Sequence, residues 1–347
     1  MKRILLLFST LLLLAGCKAQ EQVDLSLQSG QSEQEEKTAT VFAMDTVMDF
    51  TVYGATEELM QSAENRVSQL EALFSVTDVN SEIYALNRTG TSALSDDTAT
   101  LLQQALSLCS RTDGALDISI YPIVRAWGFT TGTYQIPSTE ERSALLENVD
   151  YTKVTLQDQT ASIPIGMEID LGSVAKGYTG DVLSALLKSS GVTSALLNLG
   201  GNVQALGSKP DGSPWRVAVQ NPEGDGYLGV LELTDQAAIT SGGYERYFVG
   251  EDGQTYWHII DPATGTSAHS GLISVTIVGN SGLTCDALST SLFIMGAQKA
   301  EEFWRKSDDF EAIWVSEDGS VSITEGLQDC FTLAGDSTNR ALTVITR

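Results

Sequence analysis

Two polar clusters, distant in the chain, place the tightest constraint on the fold. One is Ile-Asp-Leu-Gly-Ser-Val-Ala-Lys-Gly-Tyr (169–178), with Asp170, Ser173 and Lys176; the other is Thr-Cys-Asp-Ala-Leu-Ser-Thr (284–290), with Asp286 and Thr290. Residues three or four apart share one helix face, so each cluster can aim its oxygens at one point. Carboxylate and hydroxyl oxygens around a hard cation are the usual way to hold magnesium against a phosphate. A fold that uses both clusters together must bring them to one place, and the chemistry they suggest is that of a pyrophosphate. Taken singly, each residue also has a plain structural reading. Asp286 is then an acid favoured at a helix N-terminus, Thr290 a packing residue, Lys176 a solvated helix lysine and Asp170 an N-cap.

The N-terminus points to export. Lys2 and Arg3 precede an apolar run from Ile4 to Leu14 that closes on Leu14-Ala15-Gly16-Cys17. That layout is a secretory signal, too short to cross a bilayer of about 30 Å comfortably. Its end resembles a bacterial lipobox, which implies a signal over 1–16, cleavage before Cys17 and lipid on that cysteine. Residues 17–40, rich in Gln, Glu and Ser, read as a disordered lipidated tether, leaving 41–347 as one folded domain.

The chain carries 20 basic and 45 acidic residues, a formal charge of -25. Such a surface repels nucleic acid and anionic lipid headgroups, and it obliges an anionic substrate to find local positive charge or a bound cation. Beyond Cys17 the cysteines are Cys109, Cys285 and Cys330, with no zinc spacing and an odd count. Only two histidines, His258 and His269, are available. A metal site here must therefore be built from oxygen.

Periodicity predicts helices over 57–74, 97–110, from Ser138 to about 147, and from Ser173 to about Lys188 with Gly191 as the stop. One long helix is expected from Thr284 past Trp304. Strands are expected at 41–53, 194–199, 215–220, 228–233 and 272–279, with a hairpin over 244–260 turning at Glu251-Asp252-Gly253. Helices and strands interleave irregularly, so the class is α+β.

Seven blocks then carry a resemblance: Met44-Asp45-Thr46, 114–129, 169–178, Leu-Leu-Asn-Leu-Gly-Gly-Asn (196–202), Ser-Gly-Gly-Tyr-Glu-Arg-Tyr-Phe (241–248), 256–265 and 284–296. In this order, from about residue 41 to the C-terminus, the chain resembles the ApbE family of FAD:protein FMN transferases. The resemblance implies mixed sheets with flanking helices, an active site between two lobes, FAD as substrate and magnesium as cofactor. FMN would pass to a Thr or Ser of a partner flavoprotein, such as a subunit of a membrane redox complex or an extracellular reductase, and AMP would leave. Some family members are FAD pyrophosphatases, and a tethered flavin-binding lipoprotein without turnover is a third reading.

Carried onto this chain, the resemblance gives Ser173, Asp286 and Thr290 to the metal. Met44, Ala115, Leu116, Asp117, Asp170, Lys176 and His258 go to the flavin nucleotide, with His258 as base. A histidine titrates near neutrality and can take a proton from an attacking hydroxyl; the alternative is a histidine that packs on the ring or satisfies a carbonyl. Trp127-Gly128-Phe129 reads as core support. Three positions depart from the family pattern: Asp45 in place of Gly, Thr77 in place of a stacking aromatic and Gly243 in place of a polar residue.

Overall fold

A computed structural model describes residues 34–347. Cys17, the signal and most of the tether lie outside them. Nine strands form the main sheet: Glu36–Ala43 (β1), Thr46–Tyr53 (β2), Ser194–Leu199 (β3), Asn202–Leu206 (β4), Ala237–Gly242 (β5), Leu272–Gly279 (β6), Phe310–Ser316 (β7), Val321–Thr324 (β8) and Leu342–Ile345 (β9). Their spatial order is their chain order. Every pair is antiparallel except β8 with β9. The long excursions between strands carry eight helices: Glu57–Phe74 (α1), Glu82–Thr89 (α2), Asp96–Arg111 (α3), Tyr121–Ala126 (α4), Thr139–Leu146 (α5), Ala175–Ser189 (α6), Gly282–Met295 (α7) and Ala297–Trp304 (α8). Strands 215–220, 227–233 and 331–333 make a small separate sheet.

Local sequence explains most helix limits. The hydroxyls of Thr56, Ser81, Ser95 and Ser138 each accept a backbone N–H of the first turn of α1, α2, α3 and α5, the standard N-cap arrangement. The α1 residues Met60, Ala63, Val67, Leu70 and Phe74 are buried on one face, as the period requires.

Three expectations are corrected. The strand expected over 41–53 is a hairpin. It starts at Glu36, inside the stretch expected to be tether, and turns at Met44-Asp45, whose φ values are 50° and 60°. Ala43 pairs with Thr46, so the loop has two residues in the left-handed region that a type I′ turn requires. The long helix beginning near 284 is two helices. Gly296, at φ 78° and ψ 165°, ends α7 and starts α8, a conformation cheap only for glycine. The helix expected from Ser173 does not begin there, and Asp170 is not its N-cap. The helix starts at Ala175, with no side-chain cap.

Candidate active site

The two polar clusters meet because α6 and α7 touch backbone to backbone. A Cβ on Gly177 would lie 2.2 Å from Gly282 O, and one on Gly282 would lie 2.6 Å from Gly177 O. Reciprocal carboxylates fix the register. Asp286 of α7 accepts the Gly177 N–H at 2.8 Å. Asp181 of α6 accepts the Gly282 and Leu283 N–H groups at 2.7 and 3.0 Å and the Ser281 hydroxyl at 3.1 Å. Asp181 thus satisfies orphan donors at the start of α7. Gly177, Asp181 and Gly282 were not read as site-builders from sequence. Their signal is a helix pair, visible only once the partner is known.

A cavity of about 860 Å³ opens at this junction. Its wall includes Met44, Ala115, Leu116, Asp117, Asp170, Ser173, Lys176, His258, Asp286 and Thr290. All ten site residues predicted within the described part of the chain are therefore brought together. The volume matches that of a pocket for a sizeable small molecule.

Asp286 is 5% exposed, and among the described residues it has no ion-pair partner. Burial raises its carboxyl above the usual range, against the opposing pull of Lys176, the Gly177 N–H and the Asn202 amide. A buried carboxylate without a counter-ion is costly. Asn202 lies beside it from the start of β4, buried, with an Nδ2 that finds no acceptor in hydrogen-bonding geometry. Thr290, one turn along α7, meets the Ser241 hydroxyl at 3.2 Å. Among the described residues no three His, Cys, Asp or Glu side chains converge on a metal position. A cation held here would take one carboxylate, hydroxyls and backbone oxygens, a hard-ligand set that suits magnesium and leaves room for water. Such an ion would complete the compensation of the Asp286 charge that Lys176, the Gly177 N–H and the Asn202 amide only begin.

His258 is half-buried, and its backbone N–H donates to Arg246 O at 3.1 Å. Its Nδ1 lies 3.3 Å from the same carbonyl. A carbonyl only accepts, so Nδ1 carries the proton and Nε2 keeps its lone pair. Burial first, then the Arg246 charge, pushes the imidazolium pKa down to about 4. The ring is thus neutral near pH 7. The Phe129 ring stands edge-on to it, 6.4 Å away between centroids.

Other predicted residues also have partners within the chain. Asp117 already accepts from Ser119 N, Ser119 Oγ and Tyr151 N, so its first task is to hold its own loop. Burial nevertheless raises its carboxyl. Asp170 accepts the Gly172 N–H at 2.8 Å, five residues before the helix, and burial raises it too. It shapes the turn that carries Ser173 and is no N-cap. Phe129, expected as core support, lines the cavity, whereas Trp127 is fully buried and donates to Gly265 O at 2.8 Å. Thr77 is exposed on the cavity wall. Gly243 packs on Trp257, whose ring a Cβ would approach to 3.0 Å. Met44 is pinned by its N–H to Glu71 Oε1 at 2.6 Å. The Gly200-Gly201 pair makes the β3–β4 turn at φ 63° and 93°, and a Cβ on Gly200 would lie 2.1 Å from Thr46 Oγ1.

Residues 44–314 match the model of the ApbE family. The chain belongs to the ApbE family. Among relatives, it is 32% identical to the FAD:protein FMN transferase of Vibrio cholerae over 308 residues, covering 86% of this chain and 89% of that protein. In structure it is similar to the ApbE protein of Thermotoga maritima, with a TM-score of 0.79, 29% identity, and coverage of 85% and 99% of the two chains. The apo form of the Pseudomonas stutzeri flavinyl transferase ApbE aligns with a TM-score of 0.78, 27% identity, and coverage of 86% and 98%. The family fold accounts for the α+β class, and the seven blocks read from sequence all contribute to its sheet, its helix pair or its cavity.

Proposed function

We propose that this chain is a magnesium-dependent FAD:protein FMN transferase. The observation that carries the proposal is the convergence, in one cavity, of Asp286 and Thr290 from α7, Ser173 from the turn before α6, Lys176 from its first turn, and a neutral His258. The names of the Vibrio cholerae and Pseudomonas stutzeri relatives, an FMN transferase and a flavinyl transferase, support the same reading. Met44, Ala115, Leu116 and Phe129 offer the apolar wall against which a flavin ring packs. Asp286, Thr290 and Ser173 would hold magnesium, which neutralises charge on the diphosphate when bound.

The remaining chemistry belongs to the chain. An acceptor Thr or Ser hydroxyl approaches His258, whose Nε2 takes the proton. The hydroxyl oxygen forms a bond to the phosphorus of the FMN half, the bond from that phosphorus to the bridging oxygen breaks, and AMP departs with that oxygen. Lys176 offers a mobile cation to the phosphates. The strongly acidic surface makes such local cations necessary. The acceptor belongs to the flavoprotein class, and a lipid anchor at Cys17 would keep the enzyme at the extracytoplasmic face of the membrane, beside acceptors in redox complexes.

Incubation with FAD, magnesium and a threonine-bearing acceptor tests the reading by mass spectrometry. Transfer predicts that the acceptor gains one FMN through a phosphoester while AMP accumulates. FMN and AMP without labelling would make the protein a pyrophosphatase, and intact FAD would make it a binder.

A further inference from the structure

Arg246 is anchored by its backbone and loose at its tip. Its carbonyl is the acceptor that orients His258, so the residue cannot drift from the site. Its guanidinium is 45% exposed on the cavity wall and lies 3.8 Å from Asp45 Oδ2. The other arginine ion pairs among the described residues close to between 2.5 and 2.7 Å. Arg246 donates no hydrogen bond among those residues. A guanidinium presents five donors in a planar fork suited to phosphate oxygens, and here that fork is unused. Lys176, on the same cavity, has no ion pair within 4 Å among the described residues. Both cations partly offset the carboxyls of Asp170 and Glu245, and Lys176 that of the buried Asp286, yet the Arg246 fork still faces the cavity with its donors free for an anion.

Asp45 is placed independently of Arg246. The β1–β2 turn sets it at φ 60°, and Glu71 secures that turn through the Met44 N–H. Its side chain is 85% exposed, so its hold on Arg246 is screened by water and weak.

We propose that Arg246 is a further substrate-binding residue of this site. Its guanidinium takes the diphosphate oxygens of the dinucleotide, and Asp45 holds it at the cavity mouth until those oxygens displace the carboxylate. The phosphate competes well because it accepts charge-assisted bonds in fork geometry, which Asp45 at its present distance does not. This inference deepens the transferase reading and rests on it.

Equilibrium binding of FAD and of riboflavin, which has the ring but no phosphate, tests it on the full chain. Arg246→Gln should weaken FAD about tenfold, the scale of one charge-assisted contact, and leave riboflavin within about twofold. Asp45→Asn should tighten FAD by roughly two- to threefold, the scale of a lost exposed pair, with riboflavin unchanged. In the Arg246→Gln background the Asp45 change should have no effect, because Asp45 acts through Arg246. Equal losses for both flavins, no loss for either, or a persistent Asp45 effect in the double variant would overturn the proposal. A wild-type protein that binds no FAD would instead refute the transferase reading.

Discussion

At the scale of single residues, the site depends on charges kept where water would normally be needed. Asp286 has its carboxyl raised by burial, so its ionised form costs folding stability. The sign follows directly: a carboxyl raised on folding gives stability that is present at low pH and lost as the pH rises through the folded value. Asp286→Asn keeps an oxygen for the Gly177 N–H and removes the charge. Its metal-free melting temperature at pH 8 should be no lower than that of the wild type, while FAD cleavage falls by at least about 100-fold. Magnesium should raise the melting temperature of the wild type and leave that of the variant unchanged.

His258 shows the opposite shift. Its depressed pKa of about 4 means that protonation opposes folding, so its stabilising share is present above about 6.5, the unfolded value, and is lost as the pH falls towards 4. With His269→Asn removing the other histidine, NMR should follow the remaining ring titrating near 4. Arg246→Gln should move that midpoint upwards. A midpoint near 6.5 in the wild type would show a solvated ring instead. Asp286 and Thr290 stand out in sequence because helical spacing joins them on one face of α7, whereas Asp170 and Ser173 lie in the turn before α6 and share no helix face with Lys176. Arg246, Asn202 and Asp181 do not stand out, because their partners lie on other elements and no local pattern records them.

At the scale of elements, the close contact of α6 with α7 carries the site. Gly177→Ala would place a Cβ 2.2 Å from Gly282 O, so the helices must part. Denaturant unfolding should show a loss of about 2–3 kcal/mol, the cost of overpacking at backbone contact. FAD cleavage should fall further than stability alone explains, because Ser173 and Asp286 separate together. The caps at Thr56, Ser81, Ser95 and Ser138 explain why several helix limits can be read from local sequence. The failures came from backbone geometry that is not local in type. Met44 and Asp45 occupy left-handed conformations without glycine, which hid a hairpin turn inside an apparent strand. Gly296 lies within an otherwise helical pattern, and its extended ψ divides α7 from α8.

At the scale of the whole molecule, a nine-stranded sheet built in chain order acts as the frame, and its long excursions deliver the functional loops to one end of the α6–α7 pair. The class was readable from the sequence, and the seven short blocks hold the ten residues that line one cavity. The order of the sheet was not readable, since β4 and β5 are short and their pairing spans many residues. In the proposed reaction both clusters serve one divalent ion beside one dinucleotide diphosphate. The most direct measurement is anomalous scattering from crystals grown with manganese, as a magnesium substitute, and FAD. The expected result is a single peak at coordination distance, about 2 Å, from Asp286 and Thr290 oxygens, with the diphosphate beside it and Lys176 within reach. A peak held elsewhere, or a diphosphate bound with Asp286 facing no cation, would contradict it.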